Sequence, residues 1–225
     1  MDSFLTLLQK LHDIKVIDGA INYSSYVALD LSDTHINTLA LDVTNAILFE
    51  EFVRQHLQKN KAKVAFGGYL ETRNLYKRST VFKNNLTSER NIHIGLDLWT
   101  KANTPVLAAL DGTIHSFQNN TALGDYGPTI ILEHKINNHV FYTLYGHLSL
   151  ESLHGKKIGQ AVYKLEQIAT LGAPPINGDY APHLHFQIIK DLEGKTGDYP
   201  GVCSINDVDF YKKNCPDPNI LLKIF

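Results

Sequence analysis

Histidine and aspartate occur in this chain at spacings suited to holding a metal ion and a water molecule side by side. In Asn91-Ile92-His93-Ile94-Gly95-Leu96-Asp97-Leu98 an imidazole and a carboxylate stand four positions apart. Ile94, Leu96 and Leu98 alternate with them, so a strand here buries the aliphatic set and turns His93, Gly95 and Asp97 to the other face. Imidazole nitrogen and carboxylate oxygen are donors that zinc accepts. A fully extended strand would hold the His93 and Asp97 α-carbons roughly 13 Å apart, whereas one shared ion needs them within about 9–10 Å. Joint binding therefore requires a bend. Gly95 permits it, and its missing side chain leaves room for the ion.

Two further segments add histidines. In Pro182-His183-Leu184-His185-Phe186-Gln187-Ile188, the apolar residues Leu184, Phe186 and Ile188 face one way. His183 and His185 face the other, roughly 6.6 Å apart. Such a pair can put one imidazole on a metal and hold the second beside bound water. Tyr145-Gly146-His147-Leu148-Ser149 supplies His147. No one of these spacings is distinctive alone, because polar residues on a solvated strand face produce the same pattern. Their order along the chain carries the inference.

In that order the segments resemble the lysostaphin-like (LytM-type) zinc endopeptidases, whose pattern is His-x-x-x-Asp, then Tyr-x-His-Leu, then His-x-His. The text between agrees: Pro105 to Ala109 (PVLAA), Asp111-Gly112-Thr113-Ile114, Gly127 to His134 (GPTIILEH) and Pro182 to Phe186 (PHLHF). The resemblance implies a mainly β fold, an antiparallel-sheet catalytic domain of the lysostaphin-like (duplicated hybrid motif) type with its site in a groove. It implies one zinc ion per chain on His93, Asp97 and His185, with His147 and His183 as catalytic residues that do not bind the metal. The implied activity is that of a zinc-dependent metalloendopeptidase, a hydrolase cleaving a peptide (amide) bond of peptidoglycan-type or related peptides through zinc-activated water. Two neutral imidazoles and one carboxylate leave the ion a strong Lewis acid, with a fourth position for a water whose pKa falls to about 7. A histidine titrating near neutrality can take the water proton and pass it to the leaving nitrogen, or steady the oxyanion. His147 and His183 share those tasks here, with neither assigned to one.

Two positions depart from the family pattern. Ala181 stands where a glycine usually precedes His-x-His, and Leu165 stands where a turn glycine is usual. VALDLSD, GGYLETRNLY and CPDPNILL resemble a subgroup in which the domain lies inside long proteins, between phosphotransferase-like and aminotransferase-like domains. That subgroup implies an intracellular zinc amidase on a non-wall amide or peptide. A further alternative is a non-catalytic binding or activator module of the same fold. Regulators of that kind lack ligand residues, whereas all five positions are filled here.

The elements that must position these groups are readable in outline. Phe4, Leu7, Leu8 and Leu11 recur at helical spacing, with Asp18-Gly19 closing that segment, and Tyr23 to Leu31 reads as a strand. Ala46 to Lys59 reads as a second helix, capped by Thr44 or Asn45. From Lys63 onward, short apolar runs are broken by turn pairs such as Asp111-Gly112, Asn119-Asn120, Gly124-Asp125, Asn137-Asn138 and Asn177-Gly178, the texture of hairpins. The chain divides into a mixed α/β, partly helical piece at 1–62 and a β domain at 63–225. The first piece could fold over the groove as a latency segment, with asparagine or acidic side chains at the fourth zinc position.

Composition excludes several classes. The 225 residues carry 21 Lys plus Arg against 23 Asp plus Glu, a net charge of -2 that offers no footprint for nucleic acid. At 44% hydrophobic and 20% charged the chain can bury a core, and disorder as its main state is excluded. No run approaches the roughly 18 apolar residues of a membrane span. The N-terminus does not resemble a secretory signal, so the expected compartment is the cytoplasm, or the periplasm or exterior if the N-terminus has been trimmed. Cys203 and Cys215 read as reduced thiols. His12, His35, His56, His115, His134, His139 and His154 read as surface or satisfied histidines, Tyr145 and Tyr180 as packing, and Arg73, Lys77, Arg78 and Arg90 as a solvated basic edge.

Overall fold

The computed structural model describes residues 2–39, 42–73 and 89–225, and Lys77 and Arg78 lie outside them. Helix α1 (Ser3–Lys10) is capped by Asp2, whose side chain accepts from the Phe4 amide, and it buries Phe4 and Leu8. It ends at Lys10, well before Asp18-Gly19, because the chain turns extended at Leu11. A single 3-10 turn at Tyr23–Ser25 precedes a short strand β1 (Tyr26–Ala28), so the expected strand over Tyr23 to Leu31 shrinks to three residues. Helix α2 (Asp33–Leu39) follows, then α3 (Ala46–Lys59). Of the two candidate caps on α3, Asn45 takes the position and its side chain accepts from Ile47 and Leu48.

Strands β2 (Val64–Gly67), β3 (Ile92–His93), β4 (Leu96–Trp99) and β5 (Pro105–Leu107) lead into the long hairpins β6 (Gly112–Asn120), β7 (Gly127–Ile136) and β8 (His139–Gly146). They are followed by β9 (Ala161–Val162), β10 (Gln167–Thr170), β11 (His183–Ile189) and β12 (Val202–Cys203), then helices α4 (Val208–Asn214) and α5 (Asn219–Leu222). Among the described residues one sheet has eight strands in the order β1-β2-β4-β11-β8-β7-β6-β9. Its pairs are antiparallel except β1 with β2. Two smaller pairs, β5 with β10 and β3 with β12, are also antiparallel. The fold is mostly β, as expected.

Asn137-Asn138 makes the two-residue turn between β7 and β8, with Asn137 at φ 53° and Ile136 paired to His139. Asn119-Asn120 is not a turn. Both residues end β6, and buried Asn120 hydrogen-bonds Thr129 and the Gly197 carbonyl. In the central strands, consecutive residues feed two cores. Leu184, Phe186, Ile188, Ile130, Leu132 and Tyr145 join α1 in one cluster, while Ile131, Leu144 and Ile189 join Ile94, Tyr199, Cys203 and Cys215 in a second. The sheet is therefore covered on both faces. A third cluster, formed by Leu29, Leu31, Phe49, Val53, Ala65, Trp99 and Ala181, packs α3 against the β1–β2–β4 edge. No helix of the described residues is long and apolar enough to cross a membrane.

Candidate metal centre

Strand pairing does most of the assembly. In the β4–β11 ladder His185 stands opposite Asp97, and His183 stands opposite Trp99. In the β11–β8 ladder His185 stands opposite Gly146, so His147 leaves the sheet directly beside it. His93 arrives separately, at the end of β3. Between β3 and β4 the chain bends at Ile94-Gly95, and the predicted alternation breaks there. Ile94 packs in the second cluster, while Leu96 and Leu98 pack in the first. Gly95 does make room, but for a ligand ring rather than an ion: a Cβ there would lie 2.4 Å from His185 Cε1.

The result brings His93, Asp97 and His185 together, with one donor atom from each all within 4.8 Å of one another. His93 Nε2 lies 2.9 Å from His185 Nδ1 and 3.3 Å from Asp97 Oδ1, and His185 Nδ1 lies 3.2 Å from the same oxygen. The outer nitrogens decide what those inner ones carry. The Gly68 carbonyl accepts from His93 Nδ1 at 2.9 Å, which leaves Nε2 as a lone pair. Gln187 gives its amide nitrogen to the Pro200 carbonyl and to Cys215 Sγ, so its oxygen accepts from His185 Nε2 at 3.0 Å and leaves Nδ1 as a lone pair. Two lone pairs and a carboxylate oxygen thus face one point. Tetrahedral zinc ligands at the usual bond lengths stand about 3.3 Å apart, so this donor set fits the ion.

His147 and His183 complete the group, their rings 4.2 Å apart. Each is tied outward in the same way. His147 Nδ1 donates to the Asn177 carbonyl at 2.8 Å, and His183 Nδ1 donates to the Ala181 carbonyl at 2.7 Å. Their Nε2 atoms are therefore the acceptors, and that of His183 lies 3.8 Å from Asp97 Oδ1. His147 sits at φ 62°, a left-handed conformation that tertiary packing must hold. Trp99 stacks on His183 at 5.7 Å, and Tyr180 meets His147 edge-on at 5.1 Å.

All five side chains are buried rather than lying on a solvated face. Burial pulls the His93 imidazole down to about 4, against the pull of Asp97. It lowers His183 as well, and lowers His147 further with help from the neighbouring His183 and His185. Burial alone would raise the Asp97 carboxyl, but the neighbouring His93, Arg73 and His183 outweigh it and hold the group well below the carboxylate range. At neutral pH His93, His147 and His183 are therefore uncharged and the Asp97 carboxylate is ionised. The group opens into a cavity of about 280 Å³ walled by Phe49, Tyr126, Tyr180 and Tyr199, with Asp125, Asp198, Arg90 and Lys195 in its lining.

Residues 91–198 match the family model for peptidase family M23. This segment resembles peptidase family M23. An uncharacterized metalloprotease of Haemophilus influenzae is 35% identical to the chain over 95 residues, which are 42% of this chain and 18% of that protein. The chain thus spans less than a fifth of the curated relative it matches. Among solved structures, the catalytic domain of lysostaphin from Staphylococcus simulans is 27% identical, with 54% of this chain and 80% of that one covered and a TM-score of 0.38. A zinc-containing peptidase from Vibrio cholerae is 31% identical, with 47% and 29% covered and a TM-score of 0.36.

Some builders of the site stand outside the M23 segment and were read differently from the sequence. Arg73 is not on a solvated basic edge; it is 2% exposed and bound to Asp97 and Glu71. Its contact spans 24 positions, which no local spacing reveals. Phe49 lines the cavity from α3 and is the one residue of 1–62 to do so among those described. Gln187 did carry a signal, since it continues the His183, His185 alternation on one strand face. Arg90 donates to the Val202 carbonyl, and Tyr180 lines the cavity as well as packing. The two departures fall on telling backbone positions. Leu165 has φ 67°, the conformation that makes glycine usual there, and Ala181 supplies the carbonyl that holds His183.

Proposed function

We propose that the chain is a zinc-dependent metalloendopeptidase acting on a peptide bond of peptidoglycan-type or related peptides. The match of residues 91–198 to the peptidase family M23 model supports a peptidase, a hydrolase, and the finer reading rests on the site. One observation carries it: the lone pairs of His93 Nε2 and His185 Nδ1 face each other at 2.9 Å beside Asp97 Oδ1, an arrangement that is repulsive without a cation between them. In this reading residues 63–225 hold the catalytic domain, residues 1–62 pack upon it, and His93, Asp97 and His185 hold one zinc ion. When bound, zinc would acidify a water and polarise the substrate carbonyl.

The chain's own residues account for the remaining work. His147 and His183, each with Nε2 free to accept and Nδ1 locked outward, are the proton acceptor and the oxyanion partner of the reaction. Their backbone anchors fix the tautomer before substrate arrives, so reorganisation is small. Trp99 holds the His183 ring plane, and the Phe49 and Tyr180 walls exclude water from the reacting amide. The test is zinc stoichiometry by elemental analysis, paired with mass spectrometry of products from a cross-linked muropeptide digest and a small amide panel. One zinc per chain with new amine and carboxylate termini is the expected result. Bound zinc with no product from any substrate would leave only a binding module.

A further inference from the structure

The metal reading leaves unexplained why a buried arginine from outside the M23 segment sits on the proposed carboxylate ligand. Arg73 Nη1 donates to Asp97 Oδ2 at 2.6 Å, and its Nε donates to Glu71 Oε2 at 2.5 Å. Glu71 is held in turn by the Leu31 amide, which donates to its other oxygen at 2.9 Å. Zinc carries a positive charge, so a cation beside its ligand opposes binding unless it does something else. Glu71 offsets that charge locally. What remains is geometry: with Oδ2 engaged, Asp97 has only Oδ1 to offer the point where His93 and His185 converge.

The segment carrying Arg73 is fastened to the ligand strand by its backbone. The Leu70 amide donates to the His93 carbonyl at 2.8 Å, the His93 amide to the Glu71 carbonyl at 2.9 Å, and the Arg73 amide to the Asn91 carbonyl at 2.8 Å. At its start, the Gly68 carbonyl accepts from His93 Nδ1. Gly68 has φ 105°, and a Cβ there would lie 2.0 Å from Arg73 Nη2 and 2.9 Å from His93 Nδ1. One short stretch, residues 68–73, therefore touches the outer atoms of two of the three proposed ligands. Only glycine at its head lets both contacts form.

We infer that Arg73 is a positioning residue: it occupies Asp97 Oδ2 so that the carboxylate binds metal through one oxygen, which keeps the fourth coordination position open for water. This rests on the metal reading above. A carboxylate freed from the arginine could bind through both oxygens and crowd that position.

The experiment uses the full chain with Arg73→Met, Arg73→Lys and Glu71→Gln. Each protein is loaded with cobalt(II) for its visible spectrum and titrated with zinc against a chelator. Arg73→Met should lower the cobalt d–d absorptivity about two-fold or more, as four-coordination gives way to five, and weaken zinc binding about 10–100-fold. Arg73→Lys, which can still reach Oδ2 with one donor, should recover part of both, and Glu71→Gln should shift both less than Arg73→Met. Wild-type spectra and zinc affinity in Arg73→Met would overturn the inference while leaving the metal centre intact. If Arg73→Met fails to fold, unchanged values in both Arg73→Lys and Glu71→Gln overturn it equally. A wild-type chain that takes up neither metal would sink this inference together with the reading beneath it.

Discussion

Two buried histidine environments, one around His134 of β7 and one around His93 of β3 and His185 of β11, differ in one respect. Around His134 every donor meets an acceptor. Its Nδ1 donates to the Asp111 carbonyl at 2.8 Å, and its Nε2 accepts from Thr143 Oγ1 at 2.7 Å. Thr143 Oγ1 also lies 3.2 Å from the Tyr145 hydroxyl, which accepts the Ala109 amide. Around His93 and His185 the outer nitrogens are just as well tied, yet the inner ones point at each other. Burial pulls both His134 and His93 down to about 4, so a lowered pKa does not separate them. What marks a functional site is the direction of the lone pairs that the surrounding protein leaves unused.

The comparison breaks most easily at the inner cluster. Replacing His93 or His185 with alanine should abolish stoichiometric zinc in elemental analysis and lower kcat/KM about 10⁴-fold or more, equivalent to roughly 5.5 kcal/mol of transition-state stabilisation. Full metal retention in either variant would place the ion elsewhere. Next in size, His183→Ala or His147→Ala should keep the zinc and lower kcat about 10²–10⁴-fold. Loss of metal in those variants would erase the proposed division between holding the ion and moving protons.

How far the sequence could foresee this arrangement follows from the reach of its patterns. Period-two alternation placed His183 and His185 on one strand face, and the turn pair Asn137-Asn138 marked its hairpin. Both depend on neighbours a few positions apart. Gly95 as the bend was also visible, although the ring of His185, not an ion, fills the space beside it. Arg73 was misread because its burial depends on Glu71, Asp97 and Trp99, which meet only in the folded chain. Asn119-Asn120 misled for the same reason: a pair that favours turns sits inside β6 because Thr129 and Gly197 satisfy Asn120 there. Phe49 gave no sign of lining the cavity, since its helix period says which face is buried, not against what.

Smaller effects sharpen the contrast. His134 has its folded pKa at about 4, below the 6.5 of a free imidazole, so the unfolded chain binds more protons between those values. Its contribution to stability is present above about pH 6.5 and declines as pH falls toward 4, by up to about 3 kcal/mol. Denaturant melts of zinc-loaded protein across that range should show a shallower acid slope in His134→Gln than in wild type, with zinc content unchanged. Equal slopes would remove His134 as their source. Least of all, Leu165→Gly should raise stability by about 0.5–1 kcal/mol by relieving an exposed left-handed residue, read as a higher Tm with activity unaltered.

The whole account turns on a single cation gathered by three side chains from two strands and a strand end. Anomalous diffraction at the zinc edge, on crystals of the full chain grown with zinc, addresses that claim directly. The account predicts one strong peak per chain within bonding distance of His93 Nε2, Asp97 Oδ1 and His185 Nδ1. A peak bound by other residues, or none at that point while the three side chains keep their positions, would contradict it.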